Sequence, residues 1–405
     1  MKQKTVALLG PFGLGNLGDA ATQDAAVRAI RRNWPHARLI GVSLDPQDTL
    51  ARHGLPSLPI RADHSNERGI AGRILWALRE LAFALRSLRA LRGLDILVVS
   101  GGGQLDDVWG GASAHPFALF KWTLFARLRG AKVYFLSVGA GPIYSRKSEK
   151  LLNLALRLAC YRSFRDERSK QLVRDQLRLH DPGVVVPDLA HTRFERSANA
   201  DLTGQPLEVV GIAPMPHFDP RMSPYPGPDP ARFAAYLNKV ADFVHWLLRE
   251  HTCQVVFYVG EIHQDEPVIE DVMRLLAERG VDIHSPRLQR PPIRTVAELG
   301  ECLAGTQVFV ASRFHSVLLP LSLAKPVVAL SYHSKVTEIM RDMGQAEYCL
   351  DIDEFQVDDL IQRFETLWAN REATCRHLLQ VSTDFRRRIA EQYDTVFPKM
   401  GDVSA

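Results

Sequence analysis

Lys4 to Asp19 reads K-T-V-A-L-L-G-P-F-G-L-G-N-L-G-D. The first seven residues form a short apolar strand, and the glycines after them permit a tight turn before a helical pattern over 20–33. A strand that ends in such a turn and feeds a helix offers backbone N–H groups and a helix N-terminus to an anion or a sugar. Gly13, Gly15 and Gly18 also satisfy the G-x-G-x-x-G spacing of a dinucleotide site. Asp45, beyond a second strand at 38–43, stands where such a site would place its ribose-binding acid. Asn16 and Asp19 have no part in a dinucleotide site, which weighs against NAD without removing it.

Outward from this stretch, apolar strand-like runs at 4–10, 38–43, 95–100, 132–138 and 183–187 alternate with helical patterns at 20–33, 68–92, 116–129, 147–160 and 167–178. Phe194 to Gly204, F-E-R-S-A-N-A-D-L-T-G, is polar and reads as a linker. A second series follows, with strands at 207–213, 253–259, 281–284, 307–311 and 326–330. Its helices fall at 229–250, 266–279, 296–304, 315–324 and 335–343, and 357–393 is helical to the end. Seven prolines between Pro214 and Pro230 predict a long loop there. Alternation of this kind specifies parallel, doubly wound sheets. With 405 residues the chain exceeds the roughly 250–300 at which single cores stop growing, so two domains are expected. They are an N-terminal α/β domain over 1–195 and a C-terminal one over 205–375, with a helical tail over 376–405.

Composition narrows the function classes. Hydrophobic residues make up 46% and charged residues 24%, ordinary globular usage, and the net charge is +4. Without a basic run or an aromatic stacking motif, that mild excess does not indicate a nucleic-acid partner. Cys160, Cys253, Cys302, Cys349 and Cys375 are scattered and contain no C-x-x-C pair, which argues against a disulfide framework or a zinc site. No carboxylate–histidine cluster has metal-ligand spacing, so neither a metal nor a resident cofactor is expected. The N-terminal apolar run is too short for a signal peptide, and no stretch is long enough to span a bilayer. A cytoplasmic location follows as the expectation. Arg68 to Arg92 qualifies it. Ile74, Leu78, Leu81, Leu85 and Leu88 share one helical face, while arginines stud the rest and Trp76 and Phe83 add aromatic bulk. This helix either covers a sheet, with its arginines in solvent, or lies at the inner face of a membrane as a peripheral contact.

Chemistry gathers at two places. Val310 to Ser322, V-A-S-R-F-H-S-V-L-L-P-L-S, puts Arg313 and His315 two positions apart beyond the apolar strand Gln307–Ala311. Ligands of open α/β sheets collect at carboxyl ends of strands. A guanidinium forks onto carboxylate or phosphate, and an imidazole exchanges protons near neutral pH. In the N-terminal half, Gly101-Gly102-Gly103 follows the strand Asp95–Val99 and lets a ligand approach the backbone.

Taken in order, five motifs resemble the polysaccharide pyruvyltransferase family. They are the G-N-x-G-D turn ending at Asp19, Ser100-Gly101-Gly102-Gly103-Gln104, Ser163-Phe164-Arg165-Asp166-Glu167-Arg168-Ser169, Pro187-Asp188, and Ser312-Arg313-Phe314-His315. The match spans about residues 5–350, and ordered motifs are far more specific than any one of them. The family's turn commonly continues G-D-E-A, and here Ala20 replaces the glutamate. With the strand pattern, the resemblance implies two Rossmann-like domains facing a cleft in a GT-B-like arrangement. It also implies transfer of pyruvate from phosphoenolpyruvate, as co-substrate, to a saccharide of a polysaccharide or its lipid-linked precursor, giving a cyclic ketal. In that reading Arg313, Arg165 and Lys335 bind the donor. His315 is the general acid and Asp19 the base, with Asp106 or Asp107 behind it. Gly15, Asn16, Gly18, Gly101, Gly102, Gly103 and Asp106 bind the acceptor. Beyond the strand Gln254–Val259, His263 and Asp265 either contact sugar hydroxyls or are ordinary polar loop residues. Asp166 and Glu167 either cap the next helix or hold Arg165, and Asp19 has a competing role as a helix N-cap. The rival classes are a nucleotide-sugar glycosyltransferase and a non-catalytic sugar-binding protein of an export pathway.

Overall fold

The computed structural model describes residues 3–62, 69–108, 110–195, 202, 204–222 and 227–398. The chain divides into two compact units, neither of them contiguous in sequence. One comprises Met1–Leu14, Thr22–Leu189 and Arg387–Ala405, and the other Gly15–Ala21 and Ala190–Arg386.

In chain order the first series runs β1 (Thr5–Leu9), α1 (Leu17–Asn33), β2 (Arg38–Ser43), α2 (Pro46–His53), β3 (Ser57–Pro59), α3 (Gly69–Ala90), β4 (Ile96–Ser100), β5 (Gly103–Leu105), α4 (His115–Leu128), β6 (Lys132–Ala140), α5 (Arg146–Arg157), β7 (Tyr161–Phe164), α6 (Glu167–Asp175) and β8 (Val184–Val185). The strands form a parallel sheet in the order β3-β2-β1-β4-β6-β7-β8, with β5 paired to β6. Alternate residues of its central strands feed two cores. Ala7, Leu9, Leu97, Val99 and Val133 face one, while Val6, Leu8, Ile96, Val98 and Leu136 face the other. Burial on both faces is why these strands read as unbroken apolar runs.

The second series runs β9 (Val209–Ala213), α7 (Pro230–Glu250), β10 (Gln254–Phe257), α8 (Ile262–Glu278), β11 (Leu288–Gln289), α9 (Val296–Gly305), β12 (Val308–Ala311), α10 (Phe314–Ser322), β13 (Val327–Ser331), α11 (Ser334–Asp342), β14 (Cys349–Asp351), α12 (Val357–Ala369) and α13 (Arg371–Val396). Its parallel order, β11-β10-β9-β12-β13-β14, reverses direction between β9 and β12. That reversal is the switch point at which doubly wound sheets open a crevice beyond their strand ends. It puts the start of α10, and with it Arg313 and His315, at the position where ligands bind such sheets.

Several expectations need correction. The segment 281–284 is a turn, because the Asp282 carboxylate accepts the His284 N–H at 3.0 Å and its carbonyl accepts that of Ser285. Leu288–Gln289 takes the place beside β10 instead. Helix α1 begins at Leu17 rather than residue 20. The Asn16 side chain accepts the Asp19 N–H at 3.0 Å, so Asn16 performs the capping considered for Asp19. Asp45, the acid that kept the NAD reading open, caps α2 by accepting the Gln47 and Asp48 N–H groups on one oxygen. The helical stretch 357–393 is two helices meeting at Asn370. The proline-rich loop begins buried, with His217 3% and Asp219 0% exposed. Its residues 223–226 lie outside the described residues, as do 196–201 and 203 of the predicted linker. Helix α3 inverts the sheet-covering reading. Phe83 and Ser87 point inward, whereas Ile74, Leu78, Leu81 and Leu85 are exposed. Among the described residues no helix is long and apolar enough to cross a membrane.

The last turn of α13 is fastened to α1 within the first unit. Asn33 donates from Nδ2 to the Phe397 carbonyl at 2.9 Å and to the Asp394 carboxylate at 3.1 Å, and the Trp34 indole donates to the Pro398 carbonyl at 2.9 Å. The end of the predicted tail is thus part of an α/β unit. Asn33→Ala leaves a buried carbonyl without its donor and is expected to cost about 1–3 kcal/mol, read as a lower urea midpoint with an unchanged slope.

Candidate functional site

Asp265, 1% exposed, organises the site of the second unit. It lies in the first turns of α8, where Glu261 is the N-cap and accepts the His263 and Gln264 N–H groups. One Asp265 oxygen, Oδ2, accepts the backbone N–H groups of Gly260 and Glu261, each at 2.8 Å. The other, Oδ1, accepts from Arg313 Nε at 2.6 Å, and Arg313 Nη2 donates to the Gln264 side chain at 2.9 Å. Burial pushes the Asp265 carboxyl upward, while Arg313 and the backbone donors oppose it. Donors on both oxygens favour the charged form without overcoming the effect of burial. For Arg313, burial works against the charge and is more than offset by Asp265, Tyr332 and Glu261, so its pKa rises. The guanidinium is therefore fixed on one edge. Among the described residues its Nη1 meets no acceptor.

The glycine turn docks onto the same loop. Leu17 donates its N–H to the Gly260 carbonyl at 2.9 Å, and Ile262 donates to the Gly15 carbonyl at 3.0 Å, with Asn16 and Glu261 bridged antiparallel between them. Gly15 has φ +80°, a left-handed conformation that glycine adopts without strain, and a Cβ there would press on the His263 ring and the Glu261 carboxylate. Gly18 is required for space instead. A side chain at that position would fall inside the imidazole of His315, which lies against the first turn of α1. Behind His315, Tyr258 donates its hydroxyl to the Ser316 carbonyl at 2.9 Å, pinning the start of α10.

Other side chains collect at the same strand ends. Lys335, half-buried at the start of α11, lies over the Tyr332 ring at 5.2 Å. His217, in the loop after β9, pairs through Nε2 with Asp353 at 2.9 Å, and its ring lies 6.4 Å from that of Tyr332. Burial chiefly, against the pull of Asp353, lowers the His217 pKa.

The first unit carries a separate group around Gly101 and Gly102, both with positive φ. A chain of hydrogen bonds supports this turn, from His115 Nε2 to the Gln104 oxygen at 2.9 Å and from Gln104 Nε2 to the Gly101 carbonyl at 3.0 Å. Arg165 lies flat against Gly139, and its Nε donates to Asp166 at 3.1 Å. Asp166 also caps α6 through the Ser169 N–H, so it performs both roles considered for it. Asp106 packs against Gly103 and Gly141. Asp107 is a buried clamp, accepting the Tyr144 and Ser145 N–H groups at 2.9 Å each.

The model of the family described as polysaccharide pyruvyl transferase matches residues 16–334. The chain belongs to the polysaccharide pyruvyl transferase family. It is 19% identical over 302 residues to the amylovoran biosynthesis protein AmsJ of Erwinia amylovora, covering 70% of this chain and 67% of that protein. Membership makes it a transferase with a pyruvyl-transfer role in polysaccharide biosynthesis. Among solved structures it resembles a putative UDP-N-acetylglucosamine 2-epimerase from Listeria monocytogenes, with a TM-score of 0.60 at 11% identity, covering 97% of this chain and 98% of the other. It also resembles α,α-trehalose 6-phosphate synthase from Burkholderia multivorans, with a TM-score of 0.56 at 11% identity and coverage of 98% and 96%. These likenesses establish a GT-B fold.

In this pyruvyltransferase-family chain the second unit brings together Gly15, Asn16, Gly18, Asp19, Arg313 and His315, and the first unit holds Gly101–Gly103, Asp106 and Arg165. Gln264, Glu261, Tyr332, the His217–Asp353 pair and His115 were not anticipated. Periodicity marks strand ends but does not reveal which loop side chains converge. Two predictions follow from the packing. Gly18→Ala must displace His315 or α1 and is expected to cost about 1–3 kcal/mol by overpacking, visible as a lower melting temperature, whereas Gly54→Ala meets no neighbour and only its backbone conformation is strained. His115 titrates at about 4 instead of 6.5, through burial first and Arg61 second. The unfolded chain binds this proton before the folded one, so stability is full above about pH 6.5 and falls toward pH 4. His115→Gln is expected to reduce the loss of melting temperature on acidification across that window.

Proposed function

We propose that this transferase takes pyruvate from phosphoenolpyruvate and forms a cyclic ketal across two hydroxyls of a saccharide acceptor. The observation that carries the reading is the pairing of a fixed guanidinium with an imidazole at one switch point. Asp265 and Gln264 orient Arg313, and two residues later His315 rests on the glycine turn. Phosphoenolpyruvate presents a carboxylate and a phosphate on one small frame, and the remaining donors of Arg313 suit either anion. Lys335, held over Tyr332, adds a second cation of the same unit.

In the proposed reaction His315 delivers its proton to the methylene carbon of the donor. The carbon bearing phosphate then takes on oxocarbenium character, and one sugar hydroxyl adds to it, losing its proton to a base. Attack by the second hydroxyl expels phosphate, which carries away that hydroxyl's proton as inorganic phosphate, and closes the ketal, while the proton taken by the base restores the acid. Asp19, at the N-terminal turn of α1 beside Gly18, is our base. Each turnover consumes one donor and one diol and releases one phosphate. Burial of the Arg313–Asp265 pair strengthens the fixed charge against the developing anion by limiting screening.

Arg313→Lys keeps the charge but loses the fork, so the melting shift given by phosphoenolpyruvate is expected to shrink strongly. His315→Gln is expected to retain that shift and lose phosphate release by ~10²–10⁴-fold with acceptor present. Near-normal phosphate release in His315→Gln rejects it as the acid. A wild-type shift with nucleoside diphosphate and none with phosphoenolpyruvate overturns the donor assignment.

A further inference from the structure

Helix α3 has two apolar faces, and the first unit uses one. Inward, Phe83 packs edge-on against Trp122 with centroids 6.3 Å apart, Glu80 pairs with Lys121 at 3.4 Å, and Arg129 Nε donates to the Leu88 carbonyl at 2.8 Å. These contacts hold the helix in place. Outward, Ile74, Leu78, Leu81 and Leu85 recur at spacings of four, three and four, which aligns them in one stripe. They are 59%, 58%, 58% and 47% exposed, and Leu75 beside them is 42% exposed. Other large exposed apolar side chains among the described residues, such as Leu14, Leu50 and Leu379, are widely separated in the sequence. Scattered exposure of that kind is ordinary, but a contiguous stripe marks a surface that meets something.

The charges beside the stripe say what it meets. Glu80 is the single acidic residue of α3, and it is turned onto Lys121. Arg86, Arg89 and the following Arg92 are exposed. A stripe rimmed by cations complements an anionic lipid surface, with leucines at the acyl boundary and guanidinium groups on the phosphates. A second copy of the chain fits less well, because stacking one stripe on another gathers arginines from both helices with no acid in α3 to balance them.

We propose that α3 is an interfacial helix that seats this protein on membranes containing anionic phospholipid. The assignment does not depend on the donor, so its failure and that of pyruvyl transfer are read separately. The full chain is sedimented with vesicles of phosphatidylcholine, with and without phosphatidylglycerol, at low and high salt. The expected result is binding to the phosphatidylglycerol vesicles, weakened by salt. Leu78→Glu with Leu81→Glu is expected to reduce that binding at least tenfold at an unchanged melting temperature. Arg86→Ser with Arg89→Ser, which leaves the stripe intact, is expected to weaken it about ten- to thirty-fold and flatten its salt dependence. Failure of the folded wild-type chain to sediment with phosphatidylglycerol vesicles overturns the proposal. So does binding that survives the glutamate substitutions, a melting temperature that falls with them, or a dimer in solution that they dissociate.

Discussion

A buried carboxylate with three N–H donors governs the second unit. Asp265 joins the loop after β10, through Gly260 and Glu261, to the arginine that opens α10. Its burial disfavours charge, while three N–H donors shared between its two oxygens favour it, so removing the carboxylate would leave those donors unpaired. The loop it shapes is the one onto which the glycine turn docks. The imidazole of His315, the guanidinium of Arg313 and the first turn of α1 therefore share one foundation, and none can move far without disturbing the others.

The first unit solves a related problem by different means. Its glycine turn after β4 also lies where strand order reverses, between β1 and β4. Support there comes from neutral groups: a histidine kept unprotonated by burial and Arg61 orients an amide, which in turn holds Gly101. One turn is braced by an ion pair and the other by a hydrogen-bond chain. The first resists proton loss from arginine, and the second is vulnerable to acid.

Much of the architecture was legible because parallel strands buried on both faces leave continuous apolar runs, as in Val6–Leu9 and Val308–Ala311. Short edge strands such as Ser57–Pro59 and Cys349–Asp351 leave no such run and were missed. In the site, residues bound to a local motif were visible, namely Arg313 and His315 after their strand and Gly15 to Asp19 after theirs. The residues that orient them were not. Asp265 reads in the sequence as a candidate for sugar hydroxyls, whereas it is buried beneath Arg313 and holds that guanidinium, and the apolar stripe of α3 has the same periodicity whether it faces a sheet or solvent. Periodicity locates a face but does not say what covers it.

The docking of the glycine turn also sets an order of assembly. Leu17 and Gly15 emerge early in synthesis, while their partners Gly260 and Ile262 come from the far side of β9 and β10. The strand before the turn can join its sheet as soon as its neighbours are made, but the turn itself must wait for the second unit. A nascent or truncated chain ending near residue 195 would keep the Asn16 cap of α1 but lack the partners of Gly15 and Leu17 in the loop after β10. These contacts close over a long stretch of sequence, so the motif most easily recognised in the chain owes its docked position to residues made much later.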